Sequence, residues 1–266
     1  MKTKSRRKMM ASDTPETPAG AGVCENCGAK LHGRYCSECG QDAVEAVVPL
    51  RVLAARGLAE VFSVDLRYPR TLKALALPGR LTSLYLSGHR VPYVPPLRLA
   101  LSASVVLFVA IALRMPGGKA ITANSGLFED LGLLAREHAM AFTVAQLLVL
   151  PVFASLLKVG FGRIRPLYLS HLTFALHYHA AVTITAFAAL LVSFVAPFEL
   201  AAWLAFVLFL WMIGPYLVLA LRRTYGAPWL KILLLWPVLA FGYVGMNLMV
   251  FGLIAGLAAF LRSLSG

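Results

Sequence analysis

Four cysteines fall within 16 residues, as Cys24, Cys27, Cys36 and Cys39, in the pattern C-x2-C-x8-C-x2-C. Each C-x2-C pair can wrap two thiolates around one ion. Two such pairs complete a tetrahedral shell, for which Zn2+ is the usual occupant. Gly28 and Gly40 follow the pairs, and glycine permits the left-handed turn that aims backbone N–H groups at sulfur. Leu31 and Tyr35 lie between the pairs and are expected to cover the site. Four thiolates close the shell, so the expected role is structural. His32 is a further candidate ligand that the cysteine count does not require. The competing chemistry is a pair of disulfides, which a cytoplasmic position would disfavour because cytosolic thiols stay reduced. From Cys24 to Gln41, Lys30 and Arg34 balance Glu25 and Glu38. A nucleic-acid reader usually carries a basic patch, so a small protein-docking or structural module is the expectation and nucleic acid is not.

The second group with chemical potential is His171, His177 and His179, with Tyr178 and Thr185, all inside one long apolar run. Ionisable residues within membrane segments are functional hypotheses by default. At 100° per residue, His171, Tyr178 and Thr185 share one stripe, since a step of seven drifts by only about 20°. His177 points about 100° from Tyr178 and His179 elsewhere again, so a regular helix does not bring the three histidines to one metal or substrate. Completing a site would need groups such as Asn247, Gln146 or His138 from another helix. Three roles stay open: interhelical hydrogen bonding, a proton or solute path, and metal or acid–base chemistry. No HExxH, P-loop, serine-nucleophile motif or paired carboxylates accompany them, and no enzyme is expected.

The elements that must position these residues follow from composition. Of 266 residues, 59% are hydrophobic and 14% charged, with 25 Lys+Arg against 12 Asp+Glu and a net charge of +13. Mean hydropathy is +0.74. Soluble domains are nearer 45–50% apolar and about 25% charged, so an ordinary soluble enzyme and an acidic disordered chain are both excluded. Residues 99–113, 138–157, 166–198, 200–221 and 232–261 contain no Asp, Glu, Lys or Arg. A helix of about 20 residues crosses the ~30 Å hydrocarbon core. The reading is an all-α integral membrane protein with about five transmembrane helices at 97–262, preceded by a four-cysteine zinc ribbon at 24–41. The first run is short, and Arg98 and Arg114 are expected to snorkel to the interfaces. The expected ends of helices one, three and five are approximate.

Arg80, Arg90, Arg98, Lys158, Arg163, Arg165, Arg222, Arg223 and Lys231 would share one side; Arg114, Lys119, Arg136 and Arg262 share the other. The positive-inside rule then puts the N-terminus in the cytoplasm and the C-terminus outside, periplasmic or extracellular. The start, MKTKSRRKMM, precedes ASDTPETPAGAG rather than an apolar stretch, so residues 1–23 are expected to be a disordered basic tail near anionic lipid, not a signal peptide. Residues 48–96 are expected to hold juxtamembrane amphipathic helices and a linker: one face at 50–62, and a short helix from Arg70 to Ala76 stopped by Pro78-Gly79. Tyr85 and Tyr93 suit the headgroup level. Gly252 and Gly256 form a GxxxG, which would serve helix packing within the chain or in a homodimer. Gly214-Pro215 and Pro237 are expected to kink or end helices.

CENCGAKLHGRYCSECGQ at 24–41, the RTL…PG…YLSGHR…Y…PPLRL stretch at 70–99 and LTFALHYHA at 172–180 resemble the bacterial membrane-protein family catalogued as domain of unknown function 3667. The resemblance implies an N-terminal zinc ribbon and a helical region in the bacterial inner membrane. It implies no reaction and no catalytic residues. The expected function is therefore a non-enzymatic scaffold or regulator docking a cytoplasmic protein partner. The alternative is a small transport protein using the polar residues of the third helix.

Overall fold

The computed structural model describes residues 22–43, 65–114 and 139–265. The chain divides into two compact units, Met1–Val47 and Val48–Gly266. The expected basic tail and the amphipathic face at 50–62 lie outside the described residues, as do Lys119, Arg136 and His138.

Among its described residues, the first unit is a pair of knuckles without extended strands. Isolated bridges join Val23 to Lys30 and Tyr35 to Asp42. The Cys24 N–H donates to the Ala29 carbonyl and the Gly28 N–H to the Cys24 carbonyl, both at 2.8 Å; Cys36 with Gln41 and Gly40 with Cys36 repeat this at 2.8 and 2.9 Å. Each pairing thus recurs twelve residues later (24 to 36, 28 to 40). Gly28 and Gly40 sit at φ 75° and 72°, in the left-handed region that glycine enters without a Cβ clash.

In the second unit the described residues are helical: α1 Tyr68–Leu75, α2 Arg80–Leu86, α3 Pro96–Arg114, α4 Ala139–Phe161, α5 Tyr168–Val192, α6 Phe198–Trp211, a π-helical turn Met212–Tyr216, α7 Leu217–Tyr225 and α8 Trp229–Ser265. Helix α5 is central and packs on α2, α3, α4 and α6. The core gathers Phe153, Leu157, Phe174, Tyr178, Leu217 and Leu221.

Among the described residues, three helices are long and apolar enough to cross a membrane: Tyr168–Val192, Phe198–Tyr225 and Trp229–Ile254. This composition and length mark a membrane protein. The first two expected spans contribute shorter apolar stretches, Pro96–Ile111 and Leu148–Phe161. The 33-residue run at 166–198 overstates its helix. It includes the turn after α5, where Ser193, Phe194, Val195 and Ala196 make turn hydrogen bonds but carry no charge to mark the break.

Local chemistry explains the short helices. Before α1, the Asp65 carboxylate accepts the Arg67 N–H at 2.9 Å, an Asx turn. Proline in the first turn of α1 supplies a helix-ready φ. Gly79 precedes α2 in a left-handed conformation at φ 70°. A Cβ there would lie 2.7 Å from the Ala220 carbonyl oxygen, so the α1–α2 turn rests directly on α7. Arg223 Nη1 donates to the Pro78 carbonyl at 2.9 Å and fastens the same turn.

Arg98 corrects an expectation. It is buried at 4% exposure and meets Asp65 at 3.2 Å. It does not snorkel, because a carboxylate 33 residues earlier offers a partner inside the fold.

Among the described residues, a Cβ at Gly252 or Gly256 meets nothing within 4 Å. The close approach of α4 and α8 uses other small residues. A Cβ on Gly160 would lie 3.0 Å from Leu235 Cδ1, and one on Gly242 3.1 Å from Leu156 Cδ1. Pro237 lies inside α8 without ending it, whereas Pro215 lies in the π-helical turn.

Candidate functional site

The four cysteine Sγ atoms lie within 4.8 Å of one another. Cys24 and Cys39 are 3.6 Å apart and Cys27 and Cys36 are 3.5 Å apart. A tetrahedron with Zn–S bonds of 2.3 Å has edges of about 3.8 Å, whereas a disulfide requires about 2.05 Å. The donor set and its spacing therefore fit one tetrahedral metal ion. The site is held by the paired turns, whose glycines take the left-handed backbone conformation. Cys39 is drawn down to about 6 by the Gln41 backbone N–H and the Asn26 side chain, which favour its thiolate. His32 is not part of the cluster. Tyr35, expected to cover the site, is 59% exposed with the Arg34 guanidinium over its ring. Arg34 also pairs with Asp42 at 3.2 Å, at the surface.

The polar residues of α5, the third expected membrane helix, are deployed one by one. His171 Nε2 is 2.9 Å from the Arg165 carbonyl and Nδ1 2.9 Å from the Tyr225 hydroxyl. A carbonyl only accepts, so Nε2 carries a proton, and Nδ1 shares a hydrogen bond with the Tyr225 hydroxyl. His179 repeats this logic. The Ser104 hydroxyl donates to the Ala100 carbonyl, which leaves its oxygen to accept from Nε2 at 3.2 Å. The Tyr243 hydroxyl is hydrogen-bonded to His179 Nδ1 at 2.9 Å. Both imidazoles are cross-braces, with both ring nitrogens committed.

His177 differs. Its Nδ1 lies 3.1 Å from Thr82 Oγ1 on α2, and Tyr85 meets its ring edge-on at 5.7 Å. Its Nε2 is buried with no hydrogen-bond partner among the described residues. A cavity of about 10 Å³ is lined by Thr82, His177, Tyr178 and Tyr216. That is room for about one water molecule.

Tyr178 donates to the Met212 carbonyl at 3.1 Å, and Trp236 Nε1 donates to the Ile213 carbonyl. Both carbonyls belong to the π-helical turn at Pro215. Side chains from α5 and α8 thus donate to two carbonyls of the turn and fasten it. Tyr216 reaches the other way and donates to the Leu75 carbonyl at 2.7 Å.

The three histidines are thus not brought to one point. Among the described residues the group arranged to hold a metal is the four cysteines. Thr185 is half-buried; the threonine beside His179 is Thr183, whose hydroxyl donates to the His179 carbonyl at 2.8 Å. Asn247 bonds the Tyr243 carbonyl of its own helix. The partners Thr82, Ser104, Tyr225 and Tyr243 escaped the sequence reading. A buried polar residue implies a partner, but nothing local names it.

The segment before and within α3 supplies two of the histidine links. Thr82 meets His177 and Ser104 meets His179. Thr71 Oγ1 accepts the Val94 N–H at 3.0 Å, and Tyr68 donates to Ser102 at 2.8 Å. Residues 65–108 match the family model described as Protein of unknown function (DUF3667). The match includes α1, α2, Asp65, Gly79, Thr82, Arg98 and Ser104; the cysteine cluster and the α5 histidines fall outside it. No curated protein and no solved structure matches the chain.

Proposed function

We propose that the protein is a membrane-anchored scaffold: a structural zinc module on the cytoplasmic side, carried by a five-helix bundle in a bacterial inner membrane, that docks a cytoplasmic protein partner. The observation that carries this reading is the contrast between the two candidate sites. Four thiols converge on one tetrahedral position, while two of the three membrane histidines spend both nitrogens on neighbouring helices. The helical unit is fastened, and the ligand-ready chemistry is in the small module. The five spans are α3, α4, α5, α6 with α7, and α8. The basic residues of the α4–α5 and α7–α8 turns support the topology. Arg165 Nε donates to the Thr224 carbonyl at 3.2 Å and Arg223 reaches Pro78, which gathers that charge at one end. That end is cytoplasmic by the positive-inside rule, and the C-terminus is on the far side.

The test is an affinity pull-down of the full chain from native membranes, with metal analysis of the product. Proteins that co-purify with the wild type are expected to be lost on Cys24→Ser with Cys27→Ser and kept on His177→Ala. Co-purification unaffected by the cysteine changes would overturn the scaffold reading. The second reading, proton or solute transfer, is favoured by the unpartnered His177 Nε2 beside its water-sized cavity. It expects flux in liposomes that depends on His177.

A further inference from the structure

A lateral groove of about 580 Å³ lies between α4 and α8, lined by Leu156, Gly160, Pro228, Lys231, Leu234 and Val238. Its size is within the ~300–1,000 Å³ range of small-molecule sites, yet its walls are aliphatic apart from one cation. Val159 and Leu230 beside it are 88% and 72% exposed, which would be unfavourable in water and is neutral in hydrocarbon. Gly160 shapes the groove by admitting Leu235 to within 3.0 Å of where a Cβ would stand. Pro228, just before α8, and Lys231, in its first turn, line one end.

That end carries the markers of a headgroup layer. Trp229 is half-exposed with the Arg222 guanidinium over its ring, the amphipathic pairing favoured at interfaces. Lys231 lines the groove, and its Nζ is 5.3 Å from the centre of the Phe161 ring. Arg163 is exposed three residues beyond Gly160. The acids of the described helical unit are Asp65 and Glu199. Asp65 is held by Arg67 and Arg98, and Glu199 begins α6 at the opposite end. The groove mouth therefore presents positive charge with no opposing carboxylate among the described residues.

We infer that this groove holds one anionic phospholipid, an acyl chain lying between α4 and α8 with its phosphate at Lys231. A zwitterionic lipid fills the same apolar volume but gains less at the cation, because its own headgroup charge compensates the phosphate. The inference rests on α8 spanning the membrane, and retention of the chain in carbonate-washed membranes reports on that separately.

The experiment is native mass spectrometry of the full chain from detergent, with equal phosphatidylglycerol and phosphatidylcholine of identical chains. Phosphatidylglycerol is expected to be retained about fivefold over phosphatidylcholine, the effect of about one basic side chain near an anionic headgroup. Lys231→Gln should abolish the preference and Lys231→Arg should keep it. Leu234→Trp, which narrows the groove, should lower retention of both lipids. Glycerol 3-phosphate, the headgroup charge without chains, should not displace the lipid. Equal retention of the two lipids by the wild type would overturn the assignment. So would an unchanged preference in Lys231→Gln, displacement by glycerol 3-phosphate, or a second copy of the chain that excludes lipid.

Discussion

The Asp65 carboxylate meets the buried Arg98 guanidinium at 3.2 Å and the Arg67 guanidinium at 2.7 Å. One acid thus ties the entry to α1 to the first turn of α3. Removing one partner of a buried pair leaves a charge without compensation, at a cost of about 3–5 kcal/mol. Asp65→Asn is expected to lower stability by about 3 kcal/mol in thermal or denaturant unfolding of the purified protein, and Arg67→Ala by much less because that side chain is partly exposed.

The same ion pair sets a pH dependence. Hydrogen bonds from Arg67, with the charges of Arg67 and Arg98, hold the Asp65 carboxyl down to about 2, against an unfolded value of about 3.9. A depressed acid stabilises the fold above the unfolded value, and that contribution is lost as pH falls through the folded one. Stability is therefore expected to decline between about pH 4 and pH 2, with Asp65→Asn removing this acid-sensitive component. An identical pH profile in Asp65→Asn would show that the pair contributes nothing.

Gly79 and Gly252 make a matched pair for testing close packing. Gly79 has a positive φ and stands against the Ala220 backbone, which cannot move aside as a flexible side chain can. Gly79→Ala is expected to lose about 2–4 kcal/mol from strain and overpacking together. At Gly252 an added Cβ meets nothing within 4 Å. Gly252→Ala should stay within about 0.5 kcal/mol of the wild type. A large loss there, with a fall in oligomer mass by light scattering, would show that a second copy covers this face.

Which features the sequence disclosed depends on how far apart their parts lie. The cysteine cluster was legible because both knuckles are local: two residues separate the thiols of each pair and a glycine marks each turn. The helices were legible because charge-free runs report burial in lipid without reference to any partner. Arg98 was misread, since its partner is 33 residues away and a lone basic residue at a helix start looks like an interfacial one. The His177–Thr82 pair spans 95 residues, and periodicity only predicts which residues share a face, never what faces them. Thr185 shares the stripe with His171 and Tyr178, yet Thr183 sits one turn from His179 and takes the hydrogen bond to its carbonyl. Gly252–Gly256 matched a motif, while the glycines at the α4–α8 crossing, Gly160 and Gly242, match none.

The metal site gives a prediction independent of any partner. Four thiolates at tetrahedral spacing are expected to carry one zinc per chain, measured by emission spectrometry of the purified protein. Serine at Cys24, Cys27, Cys36 or Cys39 should abolish stoichiometric zinc, whereas His32→Ala should leave it in place. Because each thiol must lose its proton on binding, retention should fall as pH is lowered. Full zinc retention in Cys39→Ser would mean that the ligand set is wrong.

The π-helical turn offers the most local test of how the membrane helices are fastened. Its Met212 and Ile213 carbonyls accept from Tyr178 and Trp236, in a region where water is scarce and each unmet carbonyl is costly. Tyr178→Phe keeps the ring, which stacks on Phe174 and meets Tyr243 edge-on, and removes only the hydroxyl. Hydrogen bonds between membrane helices contribute about 0.6–1.7 kcal/mol, so global stability should fall by about 1 kcal/mol. The effect should be concentrated in the turn. Hydrogen exchange followed by mass spectrometry should quicken in peptides covering Met212–Tyr216 and not in those covering α3, which Tyr178 does not brace through its hydroxyl. Unchanged exchange in the turn would mean that the turn is held without this bond.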